Sequence, residues 1–151
     1  MTILPLHASL PDAWGFMPRV LMRIKAFCRE HSPEENPEGL AALCTVAFVH
    51  PRPAWRMYAG VRGDVVVGHA LASFSSWLGS SWVTVHQYQT DETFPPEQIR
   101  AHIRDMEEWG RSMGATELRA VVATDSRARA FSRFYGMQPW KTLLRREIGG
   151  A

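Results

Sequence analysis

Apolar residues recur at three- and four-residue spacing through Trp14, Met17, Val20, Leu21, Ile24 and Phe27, with Arg19, Arg23, Arg29 and Glu30 between them. That period predicts one apolar face of a helix opened by Pro11-Asp12, with Pro18 kinking it or marking its true start. Thr2 to Leu6 ahead of it reads as a short strand. HSPEENPEG after it reads as a loop, and Glu38 to Phe48 as a second helix that stops before Pro51. The run Gly39 to Val49 is apolar enough to predict a buried core helix and too short to span a bilayer.

The period then shortens to two. Trp55 to Val61, Val65 to Trp77 and Trp82 to Gln89 are predicted strands, separated by Arg62-Gly63-Asp64 and by Leu78-Gly79-Ser80-Ser81. A hairpin closed at Gly79-Ser80 would put His69, Leu71, Ser73, Ser75 and Trp77 on one face with Trp82, Thr84, His86 and Tyr88. Gly68, Ala70, Ala72, Phe74, Val83 and Val85 would take the other, small enough for a helix to lie close. Pro95-Pro96 then opens a helix whose stripe is Ile99, Ile103, Met106, Gly110 and Met113, and Gly114 ends it. Leu118 to Ala123 reads as a buried strand, parallel to its neighbour because a helix links them. Asp125 caps a last helix packed by Phe131 and Phe134, and Trp140 to Ile148 reads as a final strand. The fold class is therefore α/β. It has a mixed sheet of about six strands, an antiparallel meander followed by a parallel β-α-β unit, with helices on both faces.

The 151 residues suit one domain covering 1–151, and the net charge of +2 gives no electrostatic case for nucleic acid. Cys28 and Cys44 lie in apolar helical segments and read as buried free thiols, with no second pair to build a zinc site. The N-terminal residues lack the basic start and apolar core of a signal peptide, so the expected compartment is cytoplasmic, with no membrane association.

Glu107-Glu108-Trp109-Gly110 followed by Gly114-Ala115, and then Asp125, Ala128, Phe131, Gly136 and Met137 in register, resemble a pattern of the GNAT superfamily of N-acetyltransferases, whose element order this chain also follows. The resemblance covers roughly Trp55 to Ile148. It implies transfer of an acyl group from a CoA thioester, acetyl-CoA above all, to an amine. In that family a loop R/Q-x-x-G-x-G/A before the long helix offers backbone N–H groups to the pyrophosphate. The matching stretch here, Phe94 to Ile99, contains two prolines and Glu97 and no glycine. The family's acid Tyr is matched by Ser132; Tyr135, three residues on, is the candidate stand-in donor to the departing thiolate, its other reading being a packing Tyr at the helix end. On the fourth strand His86 is the candidate base; its other reading is a structural histidine bonded to a neighbour such as Ser73. Tyr88 and Gln89 beyond it are candidate cofactor contacts, with Asp125. Arg100, Arg127, Arg129 and Arg133 would grip phosphates by ion pairing, their other reading being a solvated helix face. No metal site is expected.

These departures leave open a second function, a non-catalytic GNAT-like scaffold acting through a protein partner or self-association in a larger assembly such as a virus particle. Six tryptophans, two of them flanking one hairpin tip, suit such contacts.

Overall fold

The computed structural model describes residues 1–120, 122, 125–140 and 146, in two compact units, Met1–Val121 and Val122–Ala151. The first contains β1 (Thr2–Leu6), α1 (Ala13–His31), α2 (Pro37–Val49), β2 (Trp55–Arg62), β3 (Val65–Trp77), β4 (Ser80–Thr90), α3 (Pro96–Ser112) and β5 (Glu117–Ala120). The second contains α4 (Asp125–Tyr135). Among the described residues the strands form one sheet in the order β1-β2-β3-β4-β5, antiparallel except for the β4–β5 pair. The mixed sheet with its meander and parallel unit is present, with five strands where about six were expected. The predicted strand Trp140 to Ile148 lies outside the described residues apart from Trp140 and Arg146, neither of which is in a strand.

One face of the sheet carries α1 and α2. Val20 and Ile24 of α1 and Cys44 and Phe48 of α2 pack on Met57, Ala59 and Leu71, every one of them almost fully buried. Pro18 falls inside α1, so it does not mark the start. The N-terminus of α2 is fixed by Asn36, whose Oδ1 accepts the Gly39 N–H at 3.1 Å. α2 is not the buried core helix its composition suggests: Cys44, Ala47 and Phe48 are buried, while Leu43, Val46 and Val49 are exposed. A helix laid on a sheet beside another helix has only one side to bury. Both cysteines are buried free thiols, and burial pushes Cys44 up to about 12.

The other face carries α3, which approaches closely because the contact residues are small. A Cβ on Gly110 would meet Val83 Cγ2 at 2.7 Å, and one on Gly60 would meet Phe94 Cζ at 2.5 Å. Phe94 is thereby plugged into the sheet beneath the start of α3, beside Val67 and Ile99. The same start protects the sheet edge. Ile3 N–H donates to Gln98 Oε1 at 3.3 Å, and Pro5, which shares that outward side of β1, has no N–H to offer.

Candidate functional site

The β3–β4 hairpin closes on Leu78-Gly79, both in the left-handed region at φ 48 and 82, one residue earlier than the spacing predicts. Pairing runs regularly from Trp77↔Ser80 to Ala72↔Val85 and then jumps to Leu71↔Gln87. His86 is the extra residue of a β-bulge. The bulge overturns the predicted alternation beyond it. Gln87 takes the face covered by α1 and α2, where its side chain lies 2.8 Å from His69 Nε2, and Tyr88 moves to the α3 face, paired beside Ala70. There Tyr88 stacks over His102 at 6.3 Å between ring centroids.

The parallel β4–β5 ladder runs from Trp82↔Glu117 to Val85↔Ala120, so among the described residues it ends at this bulge. His86 follows the last described pair. It is exposed, stacked on Trp55 at 4.9 Å and 25°, and its Nε2 lies 2.7 Å from Ser73 Oγ. Loss of solvent around the ring lowers its pKa, so the imidazole is neutral at pH 7. The contact with Ser73 expected of a structural histidine therefore coexists with the exposure expected of a reactive one. His69 shares that face but is buried against Gln87, and no cluster of metal-binding side chains occurs among the described residues.

On the opposite face α3 is tied down by Asp105, which accepts from Tyr58 Oη at 2.8 Å and from Arg56 at 3.2 Å. His102 is buried, in edge contact with Tyr58 at 4.4 Å, and burial lowers its pKa to about 4. Trp109, also buried, lies near Arg56. The sequence stripe missed His102 and Trp109 in favour of Ile103, which is only half-buried. Their spacing with Ile99 and Met106 held the signal, but a histidine and a tryptophan do not read as core positions.

The start of α3 offers little to an anion. Pro95 and Pro96 have no N–H, and the Gln98 and Ile99 amides both bond the Pro95 carbonyl, at 2.9 and 3.2 Å. Within the helix this leaves the Glu97 amide, on a residue whose carboxylate is exposed. Before it, Asp91 is held by Arg23 at 2.8 Å and Glu92 by Arg62 at 3.0 Å. These two arginines are thus committed to carboxylates. Arg100 is exposed on α3, and Gln89 is half-buried on β4. In the second unit, Arg127 is half-buried and Arg129 exposed, while Tyr135 is buried and packs on Phe131 at 5.0 Å. Asp125 is the first residue of α4.

No family model and no curated protein matches the chain. Solved structures do. A probable acetyltransferase matches with a TM-score of 0.65 at 12% identity, covering 100% of this chain and 99% of its own. The aminoglycoside N-acetyltransferase AAC(6')-Iy, solved with CoA, matches at 0.64 and 13% identity, covering 97% and 94%. An aminoglycoside acetyltransferase from an uncultured soil metagenomic sample, in complex with sisomicin, matches at 0.62 and 12% identity, covering 98% and 95%. The fold is a divergent GNAT-like fold. On this GNAT-like frame the chain has a β4 bulge with an exposed histidine, and an α3 start without glycines. No helix among the described residues is long and apolar enough to cross a membrane.

Proposed function

We propose that this chain transfers an acyl group from a CoA-type thioester to an amine, with the reacting carbon at the β4 bulge beside His86. The observation that carries the reading is the bulge in β4, which presents His86 as an exposed ring stacked on Trp55 just past the last described β4–β5 pair. Similarity to acetyltransferases solved with CoA and with an aminoglycoside supports the class of donor and acceptor. In the reaction the free-base amine attacks the thioester carbon. The C–N bond forms, the C–S bond breaks, the nitrogen gives its proton to solvent, and the thiolate takes one up. Tyr135 is the side chain we assign to protonate that thiolate, since an aliphatic hydroxyl such as Ser132 is too weak an acid. We assign Tyr88 and Gln89 on β4, and Asp125 at the start of α4, to the donor's arm. Arg100, Arg127 and Arg129 are each assigned to phosphate pairing.

The start of α3 does not fit a pyrophosphate cradle, because two of its positions are prolines, the Gln98 and Ile99 amides bond the Pro95 carbonyl, and the exposed Glu97 adds a negative charge. Donor affinity is therefore expected to be weak and salt-sensitive. Thermal melting with acetyl-CoA tests this. At 100-fold excess over Kd, binding stabilises by about 2.7 kcal/mol, which raises Tm by about 5–10 °C for a chain of this size. No shift at 10 mM acetyl-CoA, with no heat of binding, overturns the enzyme reading.

A non-catalytic scaffold is the second reading, and one observation favours it. Trp77 and Leu78 are 69% and 89% exposed at the tip of a hairpin, and Leu78 holds φ 48, a conformation leucine rarely takes. A strictly monomeric chain by light scattering, with no co-purifying protein, would count against it.

A further inference from the structure

The hydrogen-bond accounting at the bulge decides which ring nitrogen of His86 carries the proton. Ser73 is 5% exposed, and its Oγ has one contact among the described residues, His86 Nε2 at 2.7 Å. The pair admits two arrangements. If Nε2–H donated to Ser73, the serine's own hydrogen would point into a buried space without an acceptor, a cost of about 1–3 kcal/mol. If the serine O–H donates to Nε2, every hydrogen is satisfied. The remaining N–H, on Nδ1, belongs to an exposed ring and can bond water or a ligand. Stacking of the ring on Trp55 and its place in the bulge hold this orientation.

We propose that Ser73 is a positioning residue that locks His86 in its Nδ1–H tautomer, so that His86 presents a hydrogen-bond donor to the thioester carbonyl oxygen. The inference rests on the acyl-transfer reading and revises the role expected of His86 from the sequence. A base needs a lone pair at the atom facing the substrate, and here that atom bears hydrogen. A neutral N–H beside the carbonyl instead stabilises the negative charge that grows on oxygen as the amine attacks. The proton lost by the amine then leaves to water rather than to the imidazole.

Two-dimensional NMR of protein labelled with 15N-histidine reads the tautomer directly, at pH 7.5 and with no activity needed. Wild type should show a protonated Nδ1 and an unprotonated Nε2 at His86. Ser73→Ala should return the ring toward the Nε2–H form that free histidine side chains prefer, and Ser73→Thr, which keeps the hydroxyl, should restore Nδ1–H. An Nε2–H tautomer in the wild type overturns the proposal, and this outcome does not depend on Ser73→Ala folding well. Millimolar acetyl-CoA should then shift the His86 Nδ1 resonance, and Ser73→Ala should lower kcat about ten-fold with little change in KM. An Nδ1–H tautomer with no response to acetyl-CoA leaves the Ser73 assignment standing and overturns the acyl-transfer reading. A kcat unchanged by Ser73→Ala, with the tautomer switched, overturns the donor role.

Discussion

At its C-terminal end α3 finishes with Gly114 at φ 95, the Ala115 N–H returning to the Gly110 carbonyl at 2.8 Å and the Gly114 N–H to Arg111 at 3.0 Å, whereas its N-terminal end begins on two prolines with no side-chain cap. The C-terminal end is a Schellman closure with a glycine pressed on the sheet. The N-terminal end is also anchored, by Phe94 beneath it and Gln98 against β1, yet two of its amides are absent and two are spent on the Pro95 carbonyl. Packing and chemistry are thus separable on one helix. Residues that place α3 on the sheet are present at both ends, whereas its start offers few amides to an anion. A likeness to an enzyme family carried by packing residues therefore says more about architecture than about reaction.

The anchoring of the proline end should show the largest effect. Phe94 is 4% exposed, so Phe94→Ala is expected to cost about 3–5 kcal/mol in urea unfolding. Gly60→Ala alone should cost about 1–3 kcal/mol through the 2.5 Å approach to the Phe94 ring, and that cost should vanish in the Phe94→Ala background. Additive costs in the double variant would mean that the ring does not plug the sheet at Gly60.

His102, in the first half of the same helix, gives the next effect and ties it to pH. Burial lowers its pKa from 6.5 to about 4, so below pH 6.5 the unfolded chain takes up a proton that the folded chain refuses. The stability it contributes is complete above about pH 6.5 and is lost as the pH falls toward 4, for a total of about 3 kcal/mol. His102→Gln should flatten the stability curve over that interval. An unchanged slope would place the acid sensitivity elsewhere.

At the opposite end, Gly110→Ala sets two terms against each other. Alanine gains about 1 kcal/mol of helix propensity, but its Cβ would meet Val83 at 2.7 Å, an overpacking of about 1–3 kcal/mol. Net destabilisation of about 1 kcal/mol is expected. In a Val83→Ala background the sign should reverse. Stabilisation in the wild-type background would show that the helix can shift outward, and that the two ends are not equally fixed.

Most of the architecture was legible because periodicity reports burial. Thr2–Leu6 and Val65–Trp77 appear as strands with the predicted bounds, and Gly110 against Val83 realises the close helix expected from small residues. What alternation could not show was the bulge. His86, Gln87, Tyr88 and Gln89 are all polar or amphipathic, so a one-residue slip leaves no mark in the pattern, yet it decides that Gln87 is buried beneath α1 and Tyr88 faces α3. The candidate site was legible only in its parts. His86 and its bond to Ser73 could be read from spacing, while His102 and Trp109 could not, because residues with polar atoms enter a core only when tertiary packing accommodates them. The composition of the α3 start was legible outright: Phe94 to Ile99 has no glycine, and its two prolines remove two amides.

That reading leads to the smallest and most selective effect. Glu97 is exposed on the first turn of α3, with no ion-pair partner among the described residues. If a diphosphate approaches this end, the carboxylate opposes it through water-screened repulsion, and Glu97→Gln should tighten acetyl-CoA binding about three-fold at low salt. The gain should fade near 1 M salt, where screening reaches about 3 Å. Pro96→Ala adds an amide donor at the same turn and should add to the gain, with the benefit less dependent on salt. The two substitutions leave Phe94 and Gln98 untouched, so the helix stays anchored and melting temperatures should hardly move without ligand. Calorimetric titration of both variants separates the outcomes. Tighter binding in each means that the donor's phosphates reach this end of α3 and are held there weakly. Unchanged affinity in both, with wild-type binding intact, means that the phosphates are gripped elsewhere and that the proline start serves packing alone.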